Sequence, residues 1–473
     1  MSDENATMQP GGGRRVGGAA VVVGGSMAGL CAARVLADRF DRVLVIDRDE
    51  LPGSIAPRRL VPQGRHPHLL HAAGARLLEG WFPGILDDLR ASGAVDVDLC
   101  RDFHWYQLGG RQRRPASTVR GPSMSRPLLE GTVRRRVESL ANVTVRDQTT
   151  AEGLVTDSSG TRVIGVRLVG GETVPSDLVV DASGRAARSL VWLHELGYEP
   201  PPTAVVEVDT RYVSRVYRRT DAPARDWKAA AVIGDPASKR LAMLLPMEDD
   251  QWILAIAGMN GESAPADDAG MLAYARTFES PVIADVMAAS EPVNEPVTHR
   301  FPANQRRHVE RLRRFPLGWL LLGDAVCSFD PIYGQGMTSA AMQAEVLGQS
   351  LDRAGAIDRS FARTYFRDAG RIVNGPWSIA VGGDFAYDGT RGKKPFGTDL
   401  SNRYFDRVVV AGQYDDAVVI RMNEVLALTR RSGALLTPPF VLRVLRKSRR
   451  GPAGRPVTAP HRSADEADLP TEA

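Results

Sequence analysis

A chain of 473 residues with 43% hydrophobic content can bury more than one core, since a single core stops growing at roughly 250–300 residues. Its 60 basic and 56 acidic residues leave a formal charge of +4, spread along the chain instead of gathered in a block, which argues against nucleic acid as a partner. No run approaches the roughly 18 uninterrupted apolar residues of a membrane span, and Cys31, Cys100 and Cys327 stand too far apart to pair as zinc or redox motifs, so a soluble, cytoplasmic protein without disulfides or a transmembrane segment is expected.

Residues 1–17, with Asp3 and Glu4 ahead of Gly11-Gly12-Gly13, read as a loose tail and not as a signal peptide. From Ala19 to Asp47 the pattern runs strand, glycine turn, helix, strand, the plan of a parallel βαβ unit. After about Gly64 a helical pattern carries Leu69, Leu70, Ala73, Leu77 and Leu78. Residues 101–122 turn aromatic and basic, with Phe103, Trp105, Tyr106, Arg111, Arg113 and Arg114, and a helix opens after Ser125-Arg126-Pro127, where proline suits the first turn. Strands are expected at 143–146, 153–156, 163–168 and 178–182, then an antiparallel series at 211–216, 229–233, 241–245 and 252–257. A buried strand over 317–323 enters a glycine-rich loop, a helix follows over 338–350, and helical patterns continue until about Gly451, where composition shifts to Pro, Asp, Glu and Ser.

The turn Gly24-Gly25-Ser26-Met27-Ala28-Gly29 puts a small residue at all three positions of a dinucleotide fingerprint. Gly24 permits the tight turn, Ser26 lets a pyrophosphate approach the backbone, and Gly29 lets the helix pack on the strand. The phosphates then face a helix N-terminus. Asp47, ending the second strand, can accept hydrogen bonds from a ribose. Two further motifs are Asp181-Ala182-Ser183-Gly184-Arg185 and Gly323-Asp324-Ala325 followed by Asp330-Pro331-Ile332-Tyr333-Gly334-Gln335-Gly336-Met337-Thr338.

Together these motifs resemble the signatures of the group A flavoprotein monooxygenases, the superfamily of para-hydroxybenzoate hydroxylase and squalene epoxidase. The resemblance spans about residues 19 to 385 and implies an α/β fold: a Rossmann-type FAD-binding domain with an antiparallel-sheet substrate domain and C-terminal helices. It divides the chain into an FAD-binding domain assembled from 18–101, 123–202 and 299–385, an insertion at 102–122, a substrate domain at 203–298, a helical region at 386–450 and a second loose tail at 451–473. It also gives Ala182 and Gly184 to the cofactor site, Asp324 to the ribityl chain, and Pro331, Gly334, Gly336 and Met337 to the loop beside the isoalloxazine. The helix after that loop would aim backbone N–H groups at the flavin pyrimidine. Arg126 corresponds to a phosphate contact, Arg48 to a cover over the adenine, and Arg58 or Arg59 to a second arginine past the ribose acid.

The segments Gly-Gly-Ser-Met-Ala-Gly-Leu, Pro-Gln-Gly-Arg-His-x-His and Ser-Arg-Pro-Leu-Leu-Glu are most similar to actinobacterial squalene epoxidase-like enzymes, including polyether epoxidases. This similarity implies epoxidation of an apolar polyene, a polyketide or terpenoid in antibiotic biosynthesis, with O2 as co-substrate and a flavin C4a-hydroperoxide as oxidant. No protein side chain is then required as a catalytic acid, base or nucleophile. NAD(P)H would reduce the flavin directly or through a separate flavin reductase. Phe103, Trp105, Met243 and Trp252 are candidate walls of the substrate pocket. A geranylgeranyl reductase-like alkene reductase and an aromatic hydroxylase remain as alternatives. Disulfide reductases and halogenases are disfavoured, because a Cys-x4-Cys pair and a Trp-x-Trp-x-Ile-Pro segment are missing. His66, His68 and His71 lack the carboxylates and helical spacing of a metal site, so no metal is expected. Cys31 reads as core, and the basic run from Arg443 to Arg450 as a solvated helix end.

Overall fold

The computed structural model describes residues 15–53, 55–220 and 225–453. The tails expected at 1–17 and 451–473 lie for the most part outside them. The βαβ pattern forms the strand Gly17–Val23, the helix Met27–Ala37 and the strand Phe40–Ile46. These belong to a five-stranded sheet in which Trp319–Leu321, Leu178–Asp181, Gly17–Val23, Phe40–Ile46 and Val143–Arg146 lie side by side, every pair parallel. The interior of this sheet is almost wholly apolar because both faces are covered. Leu178, Val179 and Val180 are fully buried, as are Leu30, Cys31 and Leu36 on the helix above.

The second unit is a mostly antiparallel sheet running Cys327–Ser328, Val297–Arg307, Thr203–Arg218, Gln251–Gly258, Arg240–Met247, Ala229–Ile233, Phe103–Gln107 and Gly110–Arg111, with Arg391–Gly392 beside Thr203–Arg218. Its strand Val297–Arg307 runs across the boundary expected at 298. Period-2 alternation divides its side chains cleanly. Ala230, Val232, Ala242, Leu244, Trp252, Leu254 and Ile256 pack under the helices Asp268–Ala275 and Val282–Ala289. Ala229, Ala231, Leu245 and Ile253 pack toward Leu69 and Ala72, with Trp105 and Met243 beside them. Sequence pattern alone did not reveal those two covering helices, which are short, or the strand Val297–Arg307, whose exposed face is rich in polar residues.

Two expectations shift in extent. The helix expected after Gly64 begins at Ala72 and ends at Trp81; Leu69 lies before it, bridged to Ser123, and Leu70 donates its N–H to Pro122. The strand expected over 317–323 is regular only over Trp319–Leu321, because Gly318 and Gly323 adopt positive φ on either side. C-terminal helices occupy Gly336–Ala354, Arg359–Asp384, Thr398–Gly412, Asp416–Leu426 and Pro438–Ser448. No helix among the described residues is long and apolar enough to cross a membrane.

Candidate active site

Parallel register decides where the chemistry gathers. Val23 pairs with Ile46 and with Asp181, and Asp181 pairs with Leu321, so all four strands end at one edge. The loops that follow therefore bring 24–29, 47–48, 182–184 and 323–324 together, at the carboxyl edge where open α/β sheets bind ligands. Backbone approach is very close here. Gly24 has φ +109, and a Cβ on it would lie 2.6 Å from the Ala182 carbonyl oxygen. A Cβ on Gly29 would lie 1.7 Å from the Gly24 oxygen and 3.2 Å from Val22 Cγ1, and one on Gly323 would lie 2.8 Å from the Ala28 methyl. Glycine is thus required for the turn, the helix start and the return strand to share this edge.

A buried ionic network sits against the first helix. Gly25 N–H donates to Asp47 Oδ2 at 2.6 Å, while Asp47 Oδ1 lies 2.7 Å from Arg58 Nη2. Arg58 Nη1 donates to Glu130 Oε1 at 2.7 Å. Glu130 Oε2 accepts from Ser26 Oγ at 2.7 Å and from Arg126 Nε at 3.1 Å, and Arg126 Nη2 donates to Ser26 Oγ at 2.8 Å. Burial would raise the Glu130 carboxyl, but Arg126 and Arg58 outweigh it and hold the group below the usual range. Ser26 precedes the helix, yet its side chain does not cap it; it is turned to Arg126 and Glu130. Of the two candidate arginines Arg58 is buried in this network, whereas Arg59 and Arg48 are exposed. Glu130 had no role in the sequence reading. Its signal was the spacing from Arg126, four residues on along the helix Arg126–Glu138.

Asp324 follows Gly323 into this group. Burial raises its carboxyl, and Arg126, Arg185 and Arg307 counter that rise. On the other side stands the loop 330–336. Asp330 Oδ1 accepts Ile332 N–H at 3.1 Å and so closes the turn Pro331–Tyr333; Gly334 ends it at φ +66. Gln335 and Gly336 then open the helix Gly336–Ala354, on which Met337 is buried. Thr210 of the antiparallel sheet donates its hydroxyl to Asp330 Oδ2, and Asp330 N–H donates to Asn304 Oδ1 at 2.7 Å. Asn304 Nδ2 donates to Asp384 Oδ2 at 2.6 Å, and Tyr333 Oη donates to Asp384 Oδ1 at 3.0 Å. Burial pushes Asp330 up to about 6 and Asp384 in the same direction.

The three histidines take separate stations. His66 Nδ1 lies 2.8 Å from Ser214 Oγ on the antiparallel sheet. His68 Nδ1 donates to the His66 carbonyl at 2.8 Å, and His71 Nε2 lies 3.4 Å from the Tyr333 carbonyl of the loop. No cluster able to hold a metal occurs among the described residues. Of the expected pocket walls, Phe103, Trp105 and Met243 belong to the face that packs toward Leu69 and Ala72. Trp252 does not: strand parity turns it under the covering helices on the other face. Cys31, Cys100 and Cys327 are buried and unpaired.

These residues fit FAD on structural grounds. Asp181 Oδ2, His71 Nδ1, Gln335 Oε1 and Thr338 Oγ1 are buried without a hydrogen-bond partner, so polar capacity collects along the carboxyl edge and the 330–338 loop. The glycine cradle at 24–29 offers a helix N-terminus to a diphosphate.

Comparison with known proteins agrees. Residues 20–199 match the family model described as FAD dependent oxidoreductase. Protein Rv3254 of Mycobacterium tuberculosis is 35% identical over 384 residues, covering 78% of this chain and 80% of its own. Among solved structures, PqsL, a probable FAD-dependent monooxygenase from Pseudomonas aeruginosa, matches with a TM-score of 0.57 at 20% identity, over 78% of this chain and 97% of its own. 2-Methyl-3-hydroxypyridine-5-carboxylic acid oxygenase matches with a TM-score of 0.59 at 16% identity, over 87% and 98%. The structural matches agree with the para-hydroxybenzoate hydroxylase-like architecture. With the family model on residues 20–199 and a 35% identical relative along most of its length, this chain belongs to the FAD-dependent oxidoreductases.

Proposed function

We propose that this chain is a monooxygenase that inserts one atom of O2 into an apolar organic substrate, with alkene epoxidation as its reaction. Gly24–Gly29 would take the FAD pyrophosphate, Asp47 the ribose, Asp324 the ribityl chain, and Pro331–Met337 the flavin edge. Reduced FAD activates O2 and supplies an electrophilic oxygen; NAD(P)H, directly or through a reductase, supplies the electrons. The protein's own contribution is to hold the alkene, orient it and keep water out. One observation carries this reading. The face of the antiparallel sheet that bears Ala255, Met243 and Trp105 is apolar along that row, and these three are only half-buried within the sheet. Accessible apolar surface inside a sheet is what an apolar substrate needs. The 2-methyl-3-hydroxypyridine-5-carboxylic acid oxygenase match supports the class of reaction.

Aromatic hydroxylation is the second reading. It is favoured by Tyr212 and His66, neutral polar groups on the same face that could engage a phenol. The FAD-loaded protein, NAD(P)H, a generic flavin reductase and ¹⁸O2 are incubated with a linear polyene and, separately, with a phenol. Polyene product heavier by one labelled oxygen is the expected result, and labelling of the phenol alone supports hydroxylation. Product with two added hydrogens and no label would move the protein to the alkene reductases.

A further inference from the structure

Apolar walls do not account for every group on that face. On the strand Thr203–Arg218, residues 210, 212 and 214 point the same way. Thr210 grips Asp330 of the flavin loop. Ser214, four residues along, meets His66 Nδ1. Between them Tyr212 stands edge-on to the His66 ring, centroids 4.6 Å apart at 80°, and His299 flanks both at 5.4 and 5.2 Å. Tyr212 is 6% exposed and His66 is 4% exposed, yet neither Tyr212 Oη nor His66 Nε2 has a hydrogen-bond partner. Two orphan polar atoms on neighbouring rings are costly in a protein interior, each forfeiting about 1–3 kcal/mol. Ser214 is already engaged with His66 Nδ1.

The surroundings give direction to the pair. Ser214 is opposite Ala255, Ala255 opposite Met243, Met243 opposite Ala231, and Ala231 opposite Trp105. Paired residues share a face, so this is one row across five strands, polar at the Ser214–His66 end and apolar beyond. Tyr212 also packs in one cluster with Leu241 and Ala257, against Ile332 of the flavin loop and Tyr387. The polar end is therefore the end beside the loop.

We infer that Tyr212 and His66 form a polar anchor for a single oxygen function of the substrate, a hydroxyl or carbonyl carried next to the reacting carbon. The substrate is then an oxygenated apolar molecule whose reacting carbon stays electron-rich, such as an allylic alcohol or a phenol, and not a bare hydrocarbon. Both groups act uncharged: burial and nearby His299, His68 and Arg65 hold His66 down to about 3, and burial raises Tyr212. Tyr212 donates from its hydroxyl. His66 Nε2 accepts if Nδ1–H donates to Ser214 and donates if the Ser214 hydroxyl is the donor, so the pair can serve a hydroxyl or a carbonyl.

This inference rests on the monooxygenase reading for the location of the reacting carbon, but its test needs no turnover. FAD-loaded protein is titrated calorimetrically with naphthalene and with 2-naphthol, which share a shape and differ by one hydroxyl. Wild type should bind naphthol roughly ten-fold more tightly or better, the value of one buried hydrogen bond. Tyr212→Phe, which keeps the ring, should abolish most of that preference while leaving naphthalene affinity unchanged, and His66→Phe should reduce it. Equal binding of the two probes, binding of neither, or a preference that survives both substitutions overturns the anchor. A positive result with no ¹⁸O incorporation into any substrate would retain the anchor and remove the monooxygenase reading, so the two fail separately.

Discussion

Asp324 shows how a residue's sign of effect separates two roles. Its carboxylate faces Arg126, Arg185 and Arg307, and among the described residues no hydrogen bond to it is found beyond these charges. If it serves only to balance three guanidiniums, then Asp324→Ala raises the positive potential near the diphosphate and FAD binds as well or more tightly. If it accepts from ribityl hydroxyls, the loss outweighs that gain, because a hydrogen bond to a buried charge is worth about 1.5–3 kcal/mol. Weaker binding by roughly ten- to a hundred-fold is expected in a fluorescence titration of apoprotein; unchanged or tighter binding would sink the ribityl assignment. Residues of this kind were legible in the sequence because glycine and aspartate at strand ends leave a positional signature. Glu130 is marked in the sequence only by its spacing from Arg126, since its other partner, Arg58, more than seventy positions away in the chain, is brought to it at 2.7 Å by the fold.

Elements raise a different question, how the loop 330–336 is tied to the sheet beneath it. Asp330 and Asp384 meet through Asn304, with Thr210 and Tyr333 as outer donors. Burial raises both carboxyls, which sets the direction of a pH effect. A carboxyl whose folded value lies above its unfolded one binds its proton more tightly when folded. It therefore adds stability below the unfolded value, and that stability is lost as pH rises through the folded value, about 6 for Asp330. The thermal midpoint of wild type should carry a fall between pH 4 and 7 that is shallower in Asp330→Asn, where only Asp384 keeps a raised carboxyl. Asparagine can still accept Ile332 N–H and donate to the Thr210 hydroxyl, so the turn survives. A midpoint-versus-pH curve of the same slope in both proteins would refute the linkage. Sequence pattern identified this loop as a glycine-rich approach to a helix but not its anchorage. Asn304 and Asp384 come from a strand and a helix end whose local patterns are unremarkable, and only the tertiary fold makes them neighbours.

For the whole molecule the relevant fact is that no single segment builds the nucleotide edge. It draws on 24–29, 47 and 58, 126–130, 182–184 and 323–337, which the parallel register and the helix Arg126–Glu138 hold together. The βαβ unit and the antiparallel sheet were readable from alternation and glycine spacing. Which face of that sheet is covered was not, because a strand such as Gln251–Gly258 is apolar on both sides, and so Trp252 was placed with the pocket when it lies under two helices. A ligand that engages every segment of the edge should stabilise the fold as a unit, by about 2.7 kcal/mol at one hundred times its dissociation constant. On the course proposed above, FAD would reach the diphosphate cradle at 24–29 and the Asp47 ribose position as well as the loop 330–336. FMN carries the same isoalloxazine and ribityl chain but has no adenosine half, and its one phosphate cannot span the cradle to Asp47. Apoprotein heated with each flavin at equal concentration should therefore show a raised midpoint with FAD and little change with FMN. An equal rise with both would mean that the 24–29 turn and Asp47 contribute nothing to recognition, and the proposed course of the dinucleotide along this edge would have to be abandoned.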